Sequence, residues 1–457
     1  TQQSGTTLTV GGGACKTAVV DATTVTLGRC GGTVSLASGA TQSGFGRTGT
    51  VDWDTTPKTS TFTGVSGNGY FINSGSSLTC NLPAGTAGDI ISFSDYARNF
   101  STYNFNVTAN GSEKIGGQPN PAKLTVDGQA ATFVYVDGTK GWVNVQNAED
   151  TETGISNYMV ASGGCTTLTC GDYKTHIFLS PGTFCVSAAG NACGSNSVEY
   201  LTVAGGGAGG AGSGGGGGGA GGFRENYPSP TTGGIPVTVQ GYPIQVGGGG
   251  TACTTGPYAP AISINGTPSI FSTITSTAGG GAGQENSAAG IRIGADGGSG
   301  GGGAYRCGPN PGGAGNSPPT PVSQGNPGGS GGCTYGGGGG GGHSVAGANQ
   351  SGGAGGAGGA GTPIADAFIG PTAPSYGTPG PSTGRYFAGG GGGGGQSPGP
   401  TFGPGGDGGG GRGGYWPGPT AGGVGTINTG GGGGGGGGMA NSGNGGSGIV
   451  MIRYKFQ

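Results

Sequence analysis

Between residues 103 and 108, Tyr103, Phe105 and Val107 alternate with Asn104, Asn106 and Thr108. A period of two predicts a half-buried antiparallel strand. Leu78, Cys80 and Leu82 repeat the alternation. Apolar runs at 132–136 and 142–145 flank Asp137-Gly-Thr-Lys-Gly141, a hairpin signal. Upstream, the Thr- and Val-rich pieces 6–10, 18–27 and 33–36 read as short strands separated by glycine turns. Residues 176–179 form another strand ahead of Pro181-Gly182, and 200–204 lead into a different kind of sequence. No segment carries a convincing helical period, so residues 61–147 predict an antiparallel sandwich or prism, and the rest of the first 200 residues further small β units.

Beyond residue 204 the pattern breaks into apolar islands set in glycine. The islands are 235–239, 242–246, 261–264, 269–274, 291–293, 363–369, 385–387 and 415–416, and the chain closes on an apolar strand at 448–454. Of 127 glycines, 97 fall in residues 201–457, with uninterrupted runs at 214–219, 336–342, 389–395 and 430–438. Collagen needs glycine at every third position, and runs of seven and nine exclude it. A flexible linker has no reason to carry apolar islands. Ordering glycine costs roughly 0.5–1 kcal/mol per residue relative to alanine, so a nine-residue run needs on the order of 5–9 kcal/mol in return. Backbone hydrogen bonds, worth about 0.5–1.5 kcal/mol net each, supply it only if several tracts bond to one another. An extended threefold helix of the polyglycine II type, rising about 3.1 Å per residue, permits that. The proline-rich stretches 317–321 and 397–400 share this backbone shape but lack donors, which suits the periphery. The expected fold is therefore all-β: small antiparallel β domains, then a domain of packed polyglycine II-like helices and short strands. The expected divisions are 1–60, an N-terminal β or attachment segment; 61–147, a β domain; 148–203, a cysteine-containing β domain; and 204–457, the glycine-rich domain.

Charge narrows the function classes. Only 7% of residues are charged and the net charge is −2, so no basic stripe exists to follow phosphates and nucleic acid is not an expected partner. No run of 18 apolar residues predicts a membrane span, and no N-terminal signal pattern is visible. Ten cysteines suggest disulfides. By proximity the candidates are Cys15 with Cys30, Cys165 with Cys170, Cys185 with Cys193, and Cys307 with Cys333; buried free thiols are the alternative. Their spacing does not match a structural zinc site, and no metal or cofactor is expected.

The order of motifs then points to a family. Phe62 to Ile72, Leu82-Pro-Ala-Gly85, Gly88-Asp-Ile-Ile91, Asp95-Tyr96, Asn110-Gly-Ser112 and Phe133 to Trp142 resemble a β domain of tail fibres from aquatic tailed phages; residues 39–50 have the same character. From Tyr200-Leu-Thr-Val-Ala204 to Gly448-Ile-Val-Met-Ile-Arg-Tyr454, the second half resembles the glycine-rich domain of phage fibres and some bacterial surface proteins. The resemblance implies a tail fibre or adhesin on a virion, a homotrimer bound to other virion proteins. Its partner would be host surface polysaccharide or an outer-membrane protein. For such a virion protein a missing signal is expected. A bacterial extracellular filament or surface protein, or a capsid decoration fibre, are the alternatives.

Catalysis has weak candidates. Asp52-Trp53-Asp54 puts two carboxylates on one face of a strand, a spacing a glycosidase could use, but the simpler reading is a turn ahead of Pro57 with Trp53 in a small core. Cys165 and His176 do not define a triad from sequence alone. Asp89, Asp95, Asp127 and Asp137 stand in turn contexts without calcium-loop spacing. No catalytic residue is therefore assigned, and no enzyme activity is expected. For recognition, Tyr305, Arg306, Arg385, Tyr386, Phe387, Tyr415 and Trp416 lie between glycine tracts, and such side chains dominate binding hot spots. The competing role for them is to fill the ends of the glycine packing.

Overall fold

A computed structural model describes residues 51–146, 158–190, 195–227, 234–252, 263–286, 288–370, 375–396 and 401–457. The segment 1–50, with its three expected strands, Cys15 and Cys30, lies outside the described residues, as do Cys193 and the proline stretch 397–400.

Residues 51–146 form one β unit. Its strands are β1 (Asp52–Lys58), β2 (Phe62–Thr63), β3 (Asn68–Ile72), β4 (Leu78–Asn81), β5 (Ile90–Asp95), β6 (Phe105–Thr108), β7 (Ala122–Leu124), β8 (Ala130–Asp137) and β9 (Gly141–Asn144). Strands β1 to β6 alternate between two sheets, ordered β1-β3-β5-β8-β9 and β2-β4-β6-β7. Up to β6 the pairing is parallel, with β3 on β1 and β5, and β4 on β2 and β6. The chain coils between two faces before β7, β8 and β9 close it with antiparallel pairs. The antiparallel expectation for residues 103–108 is thus half right: β6 is parallel to β4 and antiparallel to β7. The alternation is real, since Phe105 and Val107 are fully buried with Ile91, Phe93, Leu124, Phe133 and Trp142 between the sheets. The aspartates serve turns: Asp137 Oδ1 accepts from the Thr139 and Lys140 amides at 2.8 and 2.7 Å. Asp95 Oδ2 accepts from Phe100 and Gly128.

The second unit begins before the glycine tracts do. Its strands are β10 (Val160–Ser162), β11 (Thr166–Cys170), β12 (Tyr173–Phe178), β13 (Gly182–Ala188), β14 (Ser197–Val203), β15 (Gly212–Gly214), β16 (Phe223–Glu225), β17 (Ile235–Pro236), β18 (Gly241–Gln245), β19 (Ser269–Phe271), β20 (Ile274–Ser276), β21 (Thr362–Ile364), β22 (Arg385–Phe387), β23 (Gly437–Ala440) and β24 (Ile449–Lys455). Two antiparallel sheets, β10-β13-β18-β19-β20 and β11-β12-β24-β14-β16, enclose a core that includes Phe178, Phe184, Tyr200, Phe271, Val450 and Ile452. The closing strand β24 sits between β12 and β14. Val450, Ile452 and Tyr454 enter that core, while Ile449 and Met451 join a second one with Leu201, Phe223, Phe368 and Phe387. Burial on both faces explains why this strand reads as a continuous apolar run. The expected division at 203/204 is therefore not a structural one, because strands from 158–203 pair with strands from 223–276 and with β24.

The glycine tracts pack as a lattice. Residues 214–222 illustrate it. Gly216, Gly219 and Gly222 donate to Gly283, Gly280 and Thr277. Gly217 and Ala220 donate to Gly338 and Gly341, and Gly218 and Gly221 to Gly433 and Gly430. The same tract accepts from Ala204, Gly207 and Gly210, from Ser299 and Gly302, and from Gly391 and Gly394. Partners change with each residue and recur every third, which is a threefold extended helix with neighbours on all sides. The bonds run from 2.7 to 3.1 Å. Residues 431–436 behave the same way, with Gly432 and Gly435 donating to Gly389 and Gly392, and Gly433 and Gly436 to Gly207 and Gly210. The glycines are required sterically, since a Cβ on Gly432 would overlap the Gly218 carbonyl oxygen and one on Gly209 that of Gly434. Pro318, Pro319 and Pro321 are exposed at the edge, as their missing donors predict.

Candidate functional site

The lattice has two ends. At one, tract 214–222 runs into β16, whose Phe223 belongs to the core beneath β24. At the other, Gly214 meets Tyr305 and Tyr335. The eight rises of about 3.1 Å from residue 214 to residue 222 separate the two ends by roughly 25 Å. We call them the sheet end and the free end.

The seven recognition candidates divide between them. Arg385, Tyr386 and Phe387 form β22, which pairs with β21 at the sheet end. Phe387 is fully buried and Tyr386 nearly so, its hydroxyl 2.6 Å from Ser382 Oγ. Arg385 donates from Nε and Nη2 to the Tyr376 and Gly377 carbonyls. Tyr386 and Phe387 take the competing role, filling the packing at the sheet end, and the part-buried Arg385 is tied to backbone carbonyls there. Sequence position between glycine runs does not reveal which end a turn occupies.

Tyr305, Arg306, Tyr415 and Trp416 do reach the free end. The Tyr305 amide donates to Gly214, and its ring stacks on Tyr335 with centroids 4.4 Å apart. Burial, then the Tyr335 hydroxyl beside it, pushes the Tyr305 phenol up to about 12, so it stays protonated at neutral pH. Arg306 Nη2 lies 3.6 Å from the buried carboxylate of Glu285, whose other oxygen accepts from the Ser213 amide at 2.6 Å. Nearby, Tyr415 packs on Phe402 with centroids 5.7 Å apart, and the Arg412 guanidinium lies over the Phe402 ring. Trp416 covers Gly438, where a Cβ would meet its indole. Trp416, Tyr335 and Met439 remain 42%, 48% and 56% exposed. Tyr335, Met439, Phe402 and Arg412 were missed from sequence, although Tyr335 and Met439 directly abut the glycine runs 336–342 and 430–438.

The cysteine pairs also separate. Cys165 precedes β11 and Cys170 ends it; five extended residues hold them about 16 Å apart, too far for a disulfide. Cys165 Sγ instead faces Ser180 Oγ at 3.8 Å. Cys185 is exposed on β13, opposite Ser162 and Gly241. Cys307 and Cys333 are exposed and adjacent at the free end.

The catalytic alternatives find little support in geometry. The Lys58 ammonium, 2.7 Å from Asp54, holds that carboxyl below the usual carboxylate range, the reverse of what a general acid needs. His176 is buried, with Nδ1 2.6 Å from the Gly163 carbonyl and Nε2 3.3 Å from the Tyr454 hydroxyl. Among the described residues, no group of three His, Cys, Asp or Glu side chains could hold a metal. A recess at the sheet end is lined by Tyr200, Phe223, Arg224, Glu225, Val322 and His343. Burial pushes the Glu225 carboxyl up and the His343 imidazole down.

Both histidines give a pH prediction. Burial lowers the folded-state affinity of His176 and His343 for a proton below the ordinary value of 6.5. The unfolded chain then binds more protons than the folded one below that pH. Stability contributed by the neutral rings is present above about 6.5 and is lost as pH falls below it. Urea midpoints for the second unit are expected to be lower at pH 5.5 than at pH 7.5; equal midpoints would contradict this account.

A lattice of threefold glycine helices rooted in a β-sandwich defines a class of protein rather than an activity. The chain belongs to the glycine-rich domain family, whose model matches residues 179–455. The match begins in the sandwich, before the first long tract, as expected if sandwich and lattice are one unit. No curated protein matches the sequence.

Proposed function

We propose that this chain is a structural virion appendage, a tail fibre or adhesin, and that the free end of its glycine lattice makes contact with the host cell surface. The observation that carries the reading is the exposure of Trp416, Tyr335 and Met439 on turns about 25 Å from the sheet that roots them. Large apolar side chains left in solvent on a rigid support mark an interaction surface. A backbone-bonded lattice suits that task because it fixes the turns without needing a core of its own. Homotrimer formation and attachment to other virion proteins through the first half belong to the same proposal, as does the absence of a catalytic role.

Two measurements test it. Gold-labelled antibody against the chain is expected to mark a fibre on purified particles; its absence from particles would sink the proposal. Purified full chain is expected to compete with particles for adsorption to host cells. A variant carrying Trp416→Ala, Tyr335→Ser and Met439→Ser is expected to compete at least about tenfold less well, with an unchanged melting midpoint. Competition undiminished in that variant would move the contact away from the free end. A label on the bacterial envelope rather than on particles would favour the alternative, a bacterial surface or filament protein.

A further inference from the structure

We propose that Cys307 and Cys333 form a reversible disulfide that ties together two turns at the free end of the lattice. The two turns already touch. The Arg306 amide donates to the Gly332 carbonyl at 3.1 Å, and Tyr305 stacks on Tyr335 at 4.4 Å with 25° between the rings. These two contacts flank Cys333 and immediately precede Cys307, which brings residues 307 and 333 close together. The Cys333 thiol stands beside that of Cys307 and raises its proton affinity. Both side chains are exposed, so a small oxidant reaches them. Elsewhere the setting differs: Cys80 is enclosed in the core of the first unit, and Cys165 faces a serine hydroxyl.

The chemistry balances with a small-molecule disulfide such as oxidised glutathione. The thiolate of one cysteine attacks a sulfur of the reagent, forms a mixed disulfide and expels one small thiolate. The second cysteine attacks the protein-bound sulfur and expels the other. Two electrons pass from the cysteine pair to the reagent, and the two cysteine protons end on the two released thiols. Each turn is anchored independently in the lattice, 305–308 by the tract 297–304 and 332–335 by the tract 336–342. The bond therefore holds the Tyr305–Tyr335 stack closed and leaves the lattice as it was.

Full-length protein equilibrated with oxidised glutathione, then alkylated under denaturing conditions and digested without reductant, tests the pairing by mass spectrometry. The expected product is a peptide linking Cys307 to Cys333 that disappears on treatment with dithiothreitol. Alkylation of both thiols after oxidation, or linkage of either to another cysteine, would overturn the proposal. A second readout is trypsin cleavage after Arg306, which requires the turn to open. Oxidation is expected to slow it at least about fivefold in the wild type and not in Cys333→Ser. Cleavage unchanged by a bond that does form would show that the turns are not held by it.

Discussion

Replacing Gly217 with alanine is expected to unfold the second unit. A Cβ at that position would overlap the carbonyl oxygen of Gly391 and press on the Gly340 amide. Relief requires neighbouring tracts to move apart. That movement breaks the bonds from Gly217 to Gly338 and from Gly302 to Gly217, and strains those joining Gly218 with Gly391 and Gly433. Each buried donor or acceptor left without a partner costs about 1–3 kcal/mol. The two broken bonds leave four such groups, about 4–12 kcal/mol together, a large part of the stability of an ordinary domain. Gly290→Ala is the control, because a Cβ there meets nothing within 4 Å, and its effect should stay within about 0.5 kcal/mol. Urea unfolding of both variants compares them directly. Equal midpoints would mean that the tracts yield to a methyl group, and the lattice account would fail.

Ending the chain at Gly448 is expected to have a comparable effect from the opposite direction. It removes β24 from between β12 and β14 and strips both sides of that strand from their cores. The sheet would be cut at its centre, and the lattice would lose the apolar surface that anchors its sheet end. The first unit should survive, since among the described residues its core draws on those between Tyr70 and Trp142 with Phe62 packed against it. Calorimetry of the intact chain should show a transition for each unit; the shortened chain should keep that of residues 51–146 and lose the other. Two transitions in both proteins would show that β24 is dispensable.

The glycine lattice was legible from the cost of ordering glycine. Long runs cost too much to order singly, and the apolar islands rule out a tether. The sequence carries a sharper signal as well: Ala354, Ala357 and Ala360 recur at every third position with glycine pairs between them. Each is only partly buried while Gly353, Gly356 and Gly359 are buried, so the threefold screw turns one row of methyl groups to the lattice surface. The parallel pairing of β1 to β6 was not legible. A strand buried on one face shows a period of two whether its neighbours run with it or against it. The strand at residues 449–455 could be read as apolar, but its partners lie more than 200 residues away and leave no local trace. Among the recognition candidates, neighbouring glycines marked every turn between tracts but not the end to which it belonged. Phe387 is buried because β21 pairs with β22 beneath the sheet, a contact between segments more than 20 residues apart.

Val203, the last residue of β14, is paired with Ile449, the first of β24. The chain thus departs for the lattice and comes home through neighbouring positions of one sheet. Seen from the sandwich, the described glycine tracts hang from a single doorway, apart from the short returns of β16 to β20 and of the segments that carry Ile364, Phe368 and Phe387. Each tract repeats its bonding directions every three residues, so adding three glycines to every tract would push the tip outward by about 9 Å and restore each partner type one turn further along. The reach of such a protein can therefore be changed in whole steps, and its outermost turns exchanged, without rewriting the sandwich that holds it.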